Sequence, residues 1–139
     1  MEKPLGRMIK MLDEALARRM NSNLQAQNLT AMQSHVLVAL CRAEGRTLSL
    51  KELEKLFQLA QSTMAGLAVR LEKKGLVRSV VDENDRRVKK ISLTEAGHAV
   101  CLAGREHIDA TERLLVSGLT EEEAETFRSL LEKVYAAVR

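Results

Sequence analysis

Residues 82–97 join a charged turn to a strand, and that strand to the start of a helix, and this succession constrains the fold more than any other part of the chain. The runs Val77–Val81 and 88–93 are rich in β-branched and apolar residues and read as strands. The six residues between them, Asp82, Glu83, Asn84, Asp85, Arg86 and Arg87, are polar turn formers and too many for a two-residue tight turn. A protruding hairpin is expected. Arg86, Arg87, Lys89 and Lys90 put four cations within five positions on it, which is the density of a phosphate-facing element rather than of an ordinary solvated hairpin.

The net charge of +3 is small, so a nucleic-acid reading rests on where the cations lie. They cluster: Lys73, Lys74, Arg78, Arg86, Arg87, Lys89 and Lys90 fall within 18 residues. Aromatic residues make up only 2% of the chain, namely Phe57, Phe127 and Tyr135, so the core must be aliphatic. The same scarcity argues against single-strand binding by base stacking. Cys41 and Cys101 lie far apart in sequence and outside any pairing motif, which suits free thiols in a reducing compartment. The first helix is broken by Lys10, Asp13, Glu14, Arg18 and Arg19, so neither a signal segment nor a membrane span is expected. The expectation is a single soluble, cytoplasmic domain.

Leu5, Met8, Ile9, Leu12, Leu16 and Met20 recur at three- and four-residue steps and predict a helix over 4–25. Thr30 and Gln33 form a capping box that opens a second helix, with Met32, Val36, Ala39, Leu40 and Ala43 on its apolar face and Gly45 as its stop. Ser49 and Glu52 form another box before a short helix, and after Gln58, Leu59 and Ala60 a helix runs over 61–74 until Gly75. Two short helices followed by a hairpin make a winged helix-turn-helix. Thr94 then caps a long helix ended by Gly118, and Thr120 and Glu123 open a last helix.

The fold class expected is mainly α with a small β wing. The DNA-binding lobe would span about 30–93, flanked by dimerisation helices at about 4–26 and 94–139. The flanking helices carry apolar stripes, Leu5, Ile9, Leu12 and Leu16 in the first and Phe127, Leu130, Leu131 and Val134 in the last, that a winged helix does not need for itself. An intertwined homodimer would bury them across a two-fold axis. The alternative is a monomer in which the helices fold back as a bundle.

Leu29, Thr30 and Gln33 opening the second helix, the run from Leu71 to Val77 closing the recognition helix, and Asp85, Arg86 and Arg87 followed by Leu93, Thr94 and Gly97 together resemble the multiple antibiotic resistance regulator (MarR) family of bacterial transcription factors. The resemblance covers nearly the whole chain, and the Pro4, Leu5, Gly6 start faintly resembles its SlyA-like branch. What it implies is a homodimer that binds a pseudo-palindromic operator and is released when a small molecule or oxidant acts at the junction of dimer and DNA lobes.

The N-terminal part of a recognition helix reaches the groove floor, which makes Gln61, Ser62, Thr63, Ala65 and Gly66 candidates for base and phosphate contacts, with Arg70 further along. Gln61 suits adenine, while Ser62 and Thr63 serve phosphate or base edges, or else merely cap the helix. The resemblance implies an Arg near Gly66, and its absence means either a close backbone approach at Gly66 or greater reliance on wing and DNA shape. On the wing (77–93), Arg86, Arg87 and Lys89 are candidates for the minor groove and phosphates, and the resemblance gives Asp85 the role of holding an Arg in place. Arg87 also has a structural reading, a pair with Asp82 or Asp85.

Enzymatic readings find little support. His98 and His107 are nine steps of about 100° apart, on opposite sides of one helix, and no phosphate loop, nucleophile elbow, metal set or cofactor motif is present. His98 with Cys101 is a metal spacing common by chance. The resemblance places an effector pocket near Met20, Met32, His35, Val36 and Ile108, for a phenolic or other lipophilic molecule, although a Met and aliphatic face is more often core. The expected partners are double-stranded DNA, a second copy of the chain and such an effector. The alternative is a winged-helix protein-interaction module without specific DNA binding.

Overall fold

A computed structural model describes all 139 residues and forms two compact units, Met1–Arg105 and Glu106–Arg139. The first holds α1 (Leu5–Ala26), α2 (Ala31–Arg42), β1 (Thr47–Ser49), α3 (Leu50–Phe57), α4 (Gln61–Lys73), β2 (Val77–Val81) and β3 (Lys89–Leu93). Helix α5 (Glu95–Leu115) crosses the division, and α6 (Glu121–Val138) lies in the second unit. The mainly helical architecture with a small antiparallel sheet is the winged helix-turn-helix expected. Helix α1 and the first half of α5 group with the winged helix rather than apart from it, because Leu24 is buried in its core and Val100 and Cys101 pack against that core.

The sheet has three strands in the order β1-β3-β2, all antiparallel, where the sequence suggested two. Strand β1 pairs Leu48 with Ile91 and Ser49 with Lys90, so the inner edge of the hairpin is covered rather than open. The core is aliphatic: Val36, Leu37, Leu40, Leu53, Met64 and Leu71 are essentially fully buried. An aliphatic side chain taken out of water contributes roughly 1.5–3 kcal/mol, and this cluster ties α2, α3 and α4 together.

Local chemistry fixes the element starts. Thr30 and Gln33 form the reciprocal capping box, as do Thr120 and Glu123. At Ser49 only half of the box forms: its hydroxyl accepts from the Glu52 N–H, and Ser49 is also the last residue of β1. Helix α2 ends at Arg42, three residues before Gly45. Gly45 lies instead in a 3-10 turn, Glu44–Arg46, with φ of 65°. The buried face of α2 is Gln33, Val36, Leu37 and Leu40, rotated from the expected set that ran through Met32, Ala39 and Ala43. No residue of the second unit is buried within the single chain. No helix is long and apolar enough to cross a membrane.

Candidate nucleic-acid interface

Helix α4 owes its orientation to a one-sided apolar stripe. Met64, Leu67, Ala68 and Leu71 are buried, which leaves Gln61, Ser62, Thr63, Val69 and Arg70 exposed and Ala65 and Gly66 half-buried. The turn before it is set by Gln58 in a left-handed conformation, with φ of 53°. Leu59 then donates its N–H to the Glu54 carbonyl and redirects the chain. The N-cap of α4 is Ala60, which makes no side-chain cap bond, so neither Ser62 nor Thr63 closes the helix. Their hydroxyls are available to a ligand. Val69, which was not among the candidates drawn from sequence, is 53% exposed in the middle of this outward face.

The far end of α4 is pinned at three points. Lys74 donates its ammonium to the Asn28 carbonyl and, at 3.0 Å, to Gln33 Oε1, so a cation counted from sequence as part of the basic cluster is an internal brace. Glu72 accepts the Ser79 N–H at 2.6 Å, which ties α4 to β2, and the Ser79 side chain, then this N–H, hold its carboxyl below the usual range. Thr94 donates its hydroxyl to the Gly75 carbonyl at 2.7 Å and accepts the Gly97 N–H at 3.0 Å, binding the start of α5 to the end of α4. Gly97 is demanded by close approach: a Cβ there would sit 2.2 Å from the Leu76 carbonyl oxygen.

At the wing tip Asp85 accepts from the Arg87 N–H at 3.0 Å and from its guanidinium at 3.1 Å and 3.3 Å. The Arg87 guanidinium, and secondly its N–H, keep the Asp85 carboxyl below its ordinary range. Asp82 accepts the Asn84 N–H and faces Lys90 at 3.6 Å. The turn is closed by the Asp82 N–H donating to the Val88 carbonyl and the Val88 N–H donating to that of Asp85. The acidic residues Asp82 and Asp85 are therefore turned inward on the backbone and cations of the hairpin. Arg86 and Lys89 are exposed and outside the three ion pairs of the chain, and Arg87 keeps 91% of its side chain exposed while held by Asp85.

The remaining candidates differ in burial. Met20 and His35 are exposed, Met32 is half-buried, Val36 is fully buried in the core, and Ile108 is exposed in the second unit. Leu5, Ile9 and Leu12 are exposed along α1 and Leu16 is half-buried; Leu130, Leu131 and Val134 are exposed along α6 and Phe127 is half-buried. No three metal-ligating side chains converge. The two thiols, distant in sequence, lie close enough to influence each other: burial, then the charge and hydrogen-bonding capacity of Cys41, push the Cys101 thiol up to about 11 against an opposing pull from Arg46. Two residues that pack on one core from different helices leave no spacing signal in the sequence.

Comparison with known proteins agrees with this geometry. Residues 27–88 match the model of the MarR family. The chain is 31% identical over 137 residues to the multiple antibiotic resistance protein MarR of Escherichia coli K12, an alignment covering 94% of this chain and 90% of that protein. It is 32% identical over 118 residues to the transcriptional repressor MdtR of Bacillus subtilis, covering 83% and 73%. Among solved structures, the DNA complex of MepR from Staphylococcus aureus superposes with a TM-score of 0.89 at 28% identity, over 96% of this chain and 99% of that one. With its fold, its hairpin and these relatives in agreement, the chain belongs to the MarR family of transcription regulators.

Proposed function

We propose that this chain is a homodimeric, cytoplasmic transcriptional repressor that binds a pseudo-palindromic operator and is released from it by a small lipophilic effector. The observation that carries the DNA-binding reading is the pairing of an unobstructed recognition helix with a wing whose Asp82 and Asp85 are turned onto its own backbone and cations, leaving Arg86, Arg87 and Lys89 facing outward. A helix in the major groove and a wing Arg over the minor groove use those features together. The lobe that docks is residues 30–93; Gln61, Ser62, Thr63, Ala65, Gly66 and Arg70 face the base edges and adjoining phosphates, and Arg86, Arg87 and Lys89 the backbone.

The relatives support this reading, one being named a transcriptional repressor and another solved on DNA. Pairing of two copies through residues 4–26 and 94–139 is favoured by the exposed Leu5, Ile9, Leu12, Leu130, Leu131 and Val134, which a monomer leaves in water. Gel-shift and footprinting on the chain's own promoter across a salt series test the proposal. Protection of two half-sites, with affinity falling linearly in log salt by about 0.9 per phosphate contact, is expected. Salt-independent or absent binding would favour a protein-interaction module instead.

A further inference from the structure

We infer that the recognition helix reads thymine methyl groups in the major groove through an apolar strip centred on Val69. The inference rests on the DNA-binding reading above and names what that surface selects. With Ser62 at zero and about 100° per residue, Val69 falls at about −20°, Lys73 at about +20°, Gly66 at about +40° and Ala65 at about −60°. The buried Met64, Leu67, Ala68 and Leu71 lie on the opposite side, so Val69 is on the outward face, within about 30° of its centre, in line with Ser62 at one end and Lys73 at the other. Ser62 to Val69 rises about 10 Å along the axis, the span of about three base pairs.

Nothing inside the protein accounts for this choice of residues. Val69 is 53% exposed and packs in no core cluster, and a β-branched residue on an exposed helix face weakens the helix. Gly66 weakens it more, although a Cβ at that position would meet only the Arg70 Nη1 at 3.5 Å, an ordinary contact. The demand therefore comes from outside. A glycine lets the groove floor approach the backbone, and an isopropyl group beside it offers no hydrogen bond to a base edge, so the partner it fits is apolar. In the major groove the apolar feature of a base edge is the C5-methyl of thymine. Arg70 lies beside the strip and Lys73 one turn beyond Val69 along the axis, both exposed, which suits phosphates flanking a base step and not an apolar protein partner.

The experiment uses the full chain. Duplexes selected from a randomised pool give the preferred site, and each thymine in it is then replaced singly by deoxyuridine, which removes the methyl and leaves pairing and hydrogen-bonding groups intact. At one or two thymines in each half-site the wild-type protein should lose about fourfold in affinity per methyl removed. Val69→Ala, folded as shown by an unchanged melting curve, should bind thymine and deoxyuridine sites alike at those positions, while Gln61→Ala should keep the wild-type ratio. Enrichment of a site in which every deoxyuridine is neutral, or a Val69→Ala protein with the wild-type ratio, overturns the inference and leaves the DNA-binding reading standing. Failure to enrich any sequence sinks both.

Discussion

Gly97 and Thr94 act as one joint between the wing and α5. The Cβ that any other residue would bring at position 97 falls 2.2 Å from the Leu76 carbonyl oxygen and 2.7 Å from the Leu93 side chain. Backbone has to move to admit it. Gly97→Ala is expected to destabilise the chain by about 3 kcal/mol, read from urea unfolding, well above its helix-propensity gain of about 1 kcal/mol. Thr94→Ala loses a cap bond and a bond to the Gly75 carbonyl and should cost about 1–2 kcal/mol. Cys101 gives a pH signature at the same scale. Its thiol is raised in the fold from 9.0 to about 11, so its contribution is complete below about pH 9 and is lost as pH rises towards 11. Because the thiol is only half-buried, solvent screening holds that contribution to roughly 1–2 kcal/mol. At neutral pH the thiol is un-ionised, and alkylation of Cys101 by iodoacetamide should be far slower than that of free cysteine.

Among the elements, wing and recognition helix differ in the physics of what they read. If Arg87 faces a phosphate or the minor groove as proposed, Arg87→Ala should weaken binding to operator and random DNA alike and lower the salt slope by about one unit. Gln61→Ala should cost about 1–3 kcal/mol on the operator and leave random DNA nearly unchanged. Equal weakening of both DNAs by Gln61→Ala would move base reading to Thr63 or its neighbours. Asp85→Asn tests the brace: it keeps the hairpin turn but releases the guanidinium, and affinity should fall by less than in Arg87→Ala. Much of this was legible in sequence because it is local. Capping boxes at Thr30 and Thr120, the turn at 58–60 and the hairpin are each written in residues within a few positions of one another. Strand β1 was not legible, since three residues carry no period and pair with β3 more than forty positions away. Lys74 looked like one more groove cation because charge is visible in a sequence and a partner such as the Gln33 amide is not. Val69 carries no signal in the sequence for the related reason that an apolar residue on a helix reads as core until its neighbours show which way it faces.

For the whole molecule the decisive quantity is apolar surface left in water. Leu5, Met8, Ile9 and Leu12 on α1 are each 48% exposed or more, and on α6 Leu130, Leu131, Val134 and Val138 are each at least 46% exposed. Helices α1 and α6 thus each keep an apolar stripe largely exposed, whereas the winged helix closes its own core. In the proposed dimer, burying such stripes across a two-fold axis at roughly 25 cal/mol per Å² would be set against the entropy of association, and isologous pairing would bring each helix against a surface of matching character. The intact chain should therefore sediment as a dimer at micromolar concentration. Deleting residues 1–25 should leave a species that aggregates or melts lower, because it removes the α1 stripe together with Leu24 of the core. Paired substitution of Leu12 and Leu131 by Glu is the sharper test. Both side chains are exposed in the single chain, so its fold should survive the charges while association is lost, and with it the ability to protect two half-sites at once. A variant that still sediments as a dimer and still protects both half-sites would show that the terminal helices are not what joins the copies.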